Sequence, residues 1–552
     1  MTTTTTSMQL NEGEACVVVG RGALVVLQGC VKVHGKVLRG KEDGSVRLPL
    51  ACDAAYPVCV QSLGGGLAEG KGIPYAAARY AEVVFEGVEV EQVPQAFHNF
   101  FPVEWTEVAE EVASISGGLH PTPSTGTTTG TIGWEGREGP SQHPGTSPDG
   151  SNLFVAVVCG SKNTGKSSFC RYLVNSLLNA HRSVMYLDMD CGQPEYTPPG
   201  LVSLFDVTDP MIEPTYLKRY ERPLASHFIG DTSPGADPGF YERSVSNLFS
   251  NWATWRNATE KAKRRGTDGV MVINTHGWIQ GLGLDVLRRF LEKVAVGARQ
   301  VALIRMQSDN SRHNLPDGLF FMDPADGADG ADGADGADGR RCRDMHVRDY
   351  HLPAISSGCA SCVAAKDVRD ALGFAKAKQA ANATEKRIMQ WHNFSRHCCP
   401  SPGVLRGAEG HEGDRADAFE ISRQRPYRIG LDAVTVSFFE GFVPEDDDRV
   451  MQSLNGCVVG LCDSPAGGDI SMCYGVGIVR SVCVRTRSLY VLTPVPLEVL
   501  TAHVDHMVVG RICDLPNSLL AGSPYLAVGC IVGGGGGVRS SRGNLVRKSN
   551  LT

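Results

Sequence analysis

The octapeptide Gly160-Ser161-Lys162-Asn163-Thr164-Gly165-Lys166-Ser167 constrains the fold more than any other stretch of the chain. It has the spacing glycine, four residues, Gly-Lys-Ser, and each residue type in it has a physical task. Gly160 and Gly165 permit backbone angles that a Cβ forbids, so successive N–H groups can turn inward around a phosphate. Lys166 brings a positive charge to the β- and γ-phosphates, and the Ser167 hydroxyl is a candidate Mg²⁺ ligand, with Ser168 beside it in the loop. The flanks agree. Leu153 to Cys159 is a short apolar run that reads as a buried strand, and Ser168 to Ala180 reads as a helix with Phe169, Leu173 and Leu177 on one face. A strand feeding such a loop into a helix predicts an α/β P-loop NTPase core, a parallel sheet with helices on both faces. The alternative is a glycine-rich turn that binds nothing.

At 552 residues the chain has room for two to four domains. The pattern divides it as follows: a disordered N-terminus (1–14), an N-terminal β-rich domain (15–113), a flexible Gly/Thr/Ser/Pro linker (114–150), the P-loop domain (151–399), a spacer (400–424), a C-terminal β-rich domain (425–535) and a basic tail (536–552). In the first β region, Cys16 to Val19, Ala23 to Leu27 and Val31 to Val33 read as separate strands. An Ala-Asp-Gly repeat at 325–339 reads as a disordered surface insertion and not a Ca²⁺ site, because nothing fixes its carboxylates around a turn. The formal charge of −7 does not advertise a nucleic-acid binder, although a local basic groove fits inside a mildly acidic total. Basic stretches at Lys261 to Arg265 and in the tail read as solvated, with nucleic-acid contact or import as the alternative. The absence of a signal sequence or long apolar run, together with 18 irregularly spaced cysteines, predicts a soluble, intracellular protein with reduced thiols. Cys359 and Cys362 have metal-ligand spacing, but no second matched pair stands at zinc-ribbon distance.

The strand after the phosphate loop carries the next chemistry. Ser183 to Leu187 runs into Asp188-Met189-Asp190-Cys191-Gly192-Gln193, placing carboxylates at the tip of a strand that borders the ligand crevice. One can hold Mg²⁺ and the other can take the proton of an attacking hydroxyl. Asp190 is the candidate base and Asp188 the candidate metal partner, with Ser167 and Asp190 completing the metal set. The two roles are exchangeable, and a turn cap is the plain alternative for either. The consecutive prolines Pro198 and Pro199 with Gly200, in the segment Pro194 to Gly200, predict a rigid non-helical loop lining a substrate groove, with Gln193 and Thr197 as candidate nucleic-acid contacts. A further buried strand, Val270 to Ile273, delivers Asn274-Thr275-His276-Gly277-Trp278 to the same edge. There a hydroxyl (Thr275), a close-approach glycine (Gly277) and an indole (Trp278) could grip a phosphate and stack on a base. Core packing is the alternative for Trp278.

These motifs, with Gly230-Asp231-Thr232-Ser233-Pro234 between them, occur in the order found in the eukaryotic polynucleotide 5′-hydroxyl kinases, which the chain resembles. Leu454 to Cys462, Gly477 to Arg480 and Leu492 to Pro496 are similar to the C-terminal domain of the nucleolar, pre-ribosomal-RNA-processing branch. The other branch serves mRNA cleavage and tRNA splicing. The resemblance covers roughly residues 152–310 and 425–530. It implies transfer of the γ-phosphate of ATP, with Mg²⁺, to the 5′-hydroxyl of RNA or DNA. The implied roles are phosphate and Mg²⁺ binding by Lys166 and Ser167, hydroxyl activation by Asp190, and a grip on the nucleic-acid end by Thr275, Gly277 and Trp278. It also implies residence in the nucleus and nucleolus, an rRNA-processing endonuclease as partner, and no membrane. Arg387, within Glu385 to Trp391, is the nearest match to the family's lid arginine. Two departures stand out: Ser168 where the family often has threonine, and the Ala-Asp-Gly insertion before the lid. A nucleotide-binding scaffold for a nuclease, catalytically weak, is the competing reading. A GTPase is disfavoured because no Asn-Lys dipeptide occurs in the chain.

Overall fold

The computed structural model describes residues 5–40, 46–52, 58–64, 80–93, 101–117, 153–218, 220–257, 269–308, 310–316, 346–353, 383–398, 424–438, 454–464, 470–512, 515–516 and 519. The linker beyond Gly117, Lys261 to Arg265, the Ala-Asp-Gly insertion, Cys359 to Cys362, nearly all of the 400–424 spacer and the basic tail lie outside these residues.

Three sheets follow one another. The first holds β1 (Thr5–Asn11), β2 (Ala15–Gln28), β3 (Cys30–Val33), β4 (Lys36–Arg39), β5 (Val46–Cys52), β6 (Val58–Gly64) and β7 (Tyr80–Val93), in the order β1-β7-β2-β6-β3-β4 with β5 also on β2. Its neighbours are antiparallel. Two expectations fail here. Residues 1–14 are not wholly disordered, because Thr5–Asn11 pairs along β7 and Leu10 is fully buried. Threonine is β-branched and suits a pleated edge, so the polar composition misled. The segments around Val17 and Val25 are not two strands but one, β2, whose register against β7 shifts between Gly20 and Ala23. A Cβ on Gly22 would lie 1.8 Å from the Glu86 carbonyl oxygen, so glycine at that position allows the bulge and the strand continues.

The central sheet has the order β11-β10-β9-β12-β8-β13-β14, formed by β8 (Leu153–Gly160), β9 (Val184–Asp188), β10 (Leu201–Val207), β11 (Ala225–Phe228), β12 (Gly269–Asn274), β13 (Gln300–Gln307) and β14 (His346–Pro353). From β9 to β14 it is parallel, as expected of a P-loop core. At the other edge β10 runs antiparallel to both β9 and β11. The period-2 alternation along β8 explains the two-layer burial. Leu153, Val155, Val157 and Cys159 join the core under α3 (Pro238–Ser250) and α5 (Leu282–Gly297). Phe154, Ala156 and Val158 join the core under α1 (Val103–Ser116) and α2 (Lys166–Leu177). Phe169, Leu173 and Leu177 all face that second core. A short α4 (Trp252–Asn257) follows α3. Helix α1 falls in the stretch assigned by sequence to the N-terminal β domain, yet its Trp105, Ala109 and Val112 are buried in the central core, with Trp105 edge-on to Phe169 at 5.1 Å.

The third sheet holds β15 (Tyr427–Gly430), β16 (Thr435–Phe438), β17 (Val458–Cys462), β18 (Cys473–Cys483), β19 (Ser488–Leu492) and β20 (His506–Val509), in the order β15-β19-β18-β17-β20-β16. It covers the exposed edge of the central sheet: Ser226 Oγ of β11 donates to the Cys473 carbonyl at 2.5 Å, and Phe228 packs with Val458, Ile478 and Ile512. Covering an edge strand removes unpaired backbone groups that would otherwise template association. Helix α6 (Ala383–His397) contributes Trp391 and Phe394 to the same cluster, and α7 (Leu497–His503) packs Leu500 onto the far face of the third sheet. The described cysteines are free thiols, and among the described residues no helix is long and apolar enough to cross a membrane.

Candidate active site

The phosphate loop leaves β8 at Gly160 and enters α2 at Lys166. Gly160 has φ 149°, Asn163 φ 63° and Gly165 φ 93°, so the turn uses three residues in the left-handed half of backbone space. At Gly160 a Cβ would lie 2.5 Å from the Met306 carbonyl oxygen of β13, which excludes any larger residue. Thr164 Oγ1 and Lys166 Nζ both donate to the Ser161 carbonyl, at 3.0 and 2.7 Å, and close the loop on itself. Lys166 is 7% exposed; burial lowers its pKa, and the charge of Asp190 opposes that shift. The lysine and the acidic tip are therefore close enough for their charges to interact.

β9 ends at Asp188, so Asp190 lies beyond the strand. The chain turns there because Asp188 holds it. Its Oδ2 accepts the Glu195 N–H at 2.6 Å, and its Oδ1 accepts the Asp190 N–H at 3.2 Å and Asn274 Nδ2 at 3.1 Å. Burial pushes the Asp188 carboxyl up to about 8, with Asp190 adding to the shift. Asn274 also donates to Ser167 Oγ at 3.4 Å, so the loop hydroxyl, the amide and the carboxylate form one chain. Oxygen donors of this kind suit Mg²⁺, which takes one or two carboxylates and completes its shell with phosphate and water. Asp190 is partly exposed, and its Oδ1 accepts the N–H groups of Gly192 and Gln193 at 2.9 and 3.1 Å, which fixes the orientation of the carboxylate.

The motifs scattered through the sequence meet here. A Cβ on Gly277 would lie 2.6 Å from Lys162 Cγ and 3.0 Å from its backbone, so Gly277 rests directly on the phosphate loop. A Cβ on Gly192 would lie 2.7 Å from the Thr232 carbonyl, which puts the 230–234 segment against the acidic loop. Trp278 is half-buried, with its ring against Gly235 and Gly283. One candidate contact is corrected, and a second is nearly buried. Thr275 is fully buried with its hydroxyl on the Val158 carbonyl at 3.0 Å, so it pins β12 to β8 rather than facing a ligand. Thr197 is only 5% exposed; its Oγ1 has no hydrogen-bond partner among the described residues. Gln193 lies in the loop capped by Asp190. Arg387 sits on α6 with Nη2 donating to Thr384 Oγ1 at 3.3 Å, one turn before Gln390, which donates to the Pro194 carbonyl at 2.7 Å. It thus lies on the helix that borders the substrate loop.

Sequence reasoning missed three contributors. Asn274 and His276 stood inside a quoted motif without a role, although a polar residue closing a buried strand was signal enough for Asn274. The third is an ionic lock: Glu195, buried, accepts Arg171 Nε at 2.7 Å and is also paired with Lys218. Burial alone would raise the Glu195 carboxyl, but Arg171 and Lys218 outweigh it and hold it below its usual range.

Two family models match the chain: the P-loop domain of mRNA cleavage and polyadenylation factor CLP1 over residues 160–350, and the NOL9-like C-terminal domain over residues 422–515. A polynucleotide 5′-hydroxyl-kinase NOL9 of Arabidopsis thaliana is 32% identical over 379 residues, covering 68% of this chain and 90% of that protein. The bovine protein of the same name is 27% identical over 404 residues, 68% of this chain and 52% of its own length, so the chain spans about half of the vertebrate relative. The Schizosaccharomyces pombe polynucleotide 5′-hydroxyl-kinase grc3 is 36% identical over 144 residues, 25% of this chain and 18% of that protein. A solved Clp1p–Pcf11p complex overlaps 92% of this chain and 98% of its counterpart at 13% identity with a TM-score of 0.49, too loose for an argument. With the Arabidopsis protein matched over nine-tenths of its length, and the phosphate loop tied to the acidic strand tip through Asn274, the chain belongs to the polynucleotide 5′-hydroxyl kinases of the NOL9 type.

Proposed function

We propose that this kinase moves the γ-phosphate of ATP onto the 5′-hydroxyl of RNA ends made by endonucleolytic cleavage in pre-ribosomal RNA processing. The observation that carries the chemistry is the hydrogen-bonded chain from Ser167 through Asn274 to Asp188, which ties the phosphate loop to the acidic strand tip, with the charge of Asp190 acting on Lys166. In-line transfer needs placement and charge neutralisation more than covalent help. The Gly160–Ser168 amides and Lys166 receive the phosphates. Asp190 takes the proton of the 5′-hydroxyl as its oxygen bonds to phosphorus and the bond to ADP breaks. Mg²⁺ would supply positive charge to the phosphates when bound, and Ser167, Asp188 and Asp190 are the residues that would hold it. Trp278 stacks on the terminal base while Gly277 lets the strand approach, and Gln193 with the Pro194–Gly200 loop lines the groove. Arg387 is the lid residue that completes the charge clamp.

The match of residues 422–515 to the NOL9-like domain supports the nucleolar, spacer-processing branch and an endonuclease partner. The test is transfer of labelled γ-phosphate to 5′-hydroxyl RNA and DNA oligonucleotides, alone and with a copurified nuclease. Transfer that vanishes in Lys166→Ala supports the reading; ATP binding without transfer in every arm favours the scaffold instead.

A further inference from the structure

His276 lies between the two halves of the site, and nothing in the transfer described above uses it. It is 2% exposed. Its Nδ1 accepts the backbone N–H of Trp278 at 3.1 Å, which fixes the neutral tautomer with the proton on Nε2. That Nε2 is buried and has no hydrogen-bond partner among the described residues. A buried donor without an acceptor costs stability, and its retention calls for a ligand or a function. The surroundings indicate which. The following residue, Gly277, rests on Lys162 of the phosphate loop, and the positive charges of both Lys166 and Lys162 reach the imidazole. On its other side the ring meets Tyr241 edge-to-face at 5.4 Å, and the Tyr241 hydroxyl is spent on the Met189 carbonyl at 2.7 Å. Burial and the two lysines hold the imidazole pKa down to about 3, so the ring is neutral across the working range and its Nε2 remains a donor. A donor locked in orientation beside two phosphate-binding lysines is matched to an anionic oxygen.

Resting on the kinase reading, we propose that His276 is a further catalytic residue, donating its Nε2–H to a non-bridging oxygen of the transferring γ-phosphate. A preorganised neutral donor adds stabilisation where charge redistributes in the transition state and needs no reorientation at that moment.

The test uses the full chain with labelled ATP and a 5′-hydroxyl oligonucleotide, comparing His276→Phe, His276→Gln and His276→Asn. Glutamine can carry an N–H near the Nε2 position, whereas asparagine places its amide near Nδ1. Loss of the donor in His276→Phe is expected to lower kcat about 10²-fold, with ATP affinity and the KM for the oligonucleotide nearly unchanged. His276→Gln should recover most of kcat. If His276→Phe does not fold, the Gln and Asn variants decide, with Gln expected well above Asn. A wild-type kcat in His276→Phe, equal rates for Gln and Asn, or a raised oligonucleotide KM with kcat kept would overturn the assignment and leave the ring as packing for Tyr241 or Trp278. A wild-type chain that transfers nothing to any 5′-hydroxyl end overturns the kinase reading itself, and this inference with it.

Discussion

Lys166 and Asp190 act on opposite partners of the transfer, so their substitutions separate. Asp190→Asn keeps a side-chain oxygen to accept the Gly192 and Gln193 amides, so the loop geometry survives while the base is lost. Its kcat should fall roughly 10²–10⁴-fold with ATP affinity little changed; wild-type turnover would remove Asp190 from the role of base. Lys166→Ala should instead weaken ATP binding together with transfer, measured by nucleotide titration beside the oligonucleotide assay. Gly277 gives a third residue-scale test. An added methyl would meet Lys162 backbone atoms at 3.0 Å, and backbone cannot yield as a side-chain tip does. Gly277→Ala should shift the 275–278 loop by a fraction of an ångström and lower kcat/KM for the oligonucleotide by about 10-fold or more, since small misplacements cost that much. Unchanged kcat/KM would show that the loop moves freely. The residue types at these positions were readable from sequence because each is tied to a local pattern. The burial of Thr275 was not, since its hydroxyl serves a carbonyl 117 residues away.

At the scale of elements, the loop from Asp188 to Gly200 is fixed twice: by the Asp188 side chain at its start, and by Glu195 between Arg171 of α2 and Lys218. The prolines announced a non-helical loop, but the lock could not be read because its cations stand 24 and 23 residues away with no common period. Removing one partner of a buried ion cluster leaves an uncompensated charge, so Glu195→Gln should cost about 3–5 kcal/mol, measured by denaturant unfolding. The pH dependence follows from the sign of the shift. Glu195 has a folded pKa below its ordinary 4.5, so its contribution is present above that value and is lost as pH falls through the folded pKa. The wild type should therefore lose stability on the acid side of 4.5 more steeply than Glu195→Gln; parallel curves would mean that the lock carries no net stabilisation.

Across the whole molecule, the P-loop core and the strand-rich flanks were legible because periodicity and turn chemistry are local. The way the flanks attach was not, since it depends on surfaces that sequence does not label. Helix α1 docks on the central core through Trp105, and the third sheet clasps β11 through Phe228. The third sheet thereby reaches the site. The Arg511 N–H donates to the Gly230 carbonyl at 2.6 Å, and the segment that begins at Gly230 carries Thr232, whose carbonyl abuts Gly192 beside Asp190. A Cβ on Gly460 of β17 would lie 2.5 Å from Phe228 Cγ, so this glycine sets how closely the two sheets approach. Gly460→Leu overpacks that contact and should cost about 1–3 kcal/mol. Because the phosphate loop lies on other strands, ATP binding should persist while transfer to the oligonucleotide falls. A compensating Phe228→Ala should return part of both stability and transfer, since the two positions share one contact and their effects cannot be additive. If the double variant is no better than the sum of the single ones, the third sheet does not act on the site through Phe228, and its support of the acidic loop must run through the Arg511–Gly230 bond alone.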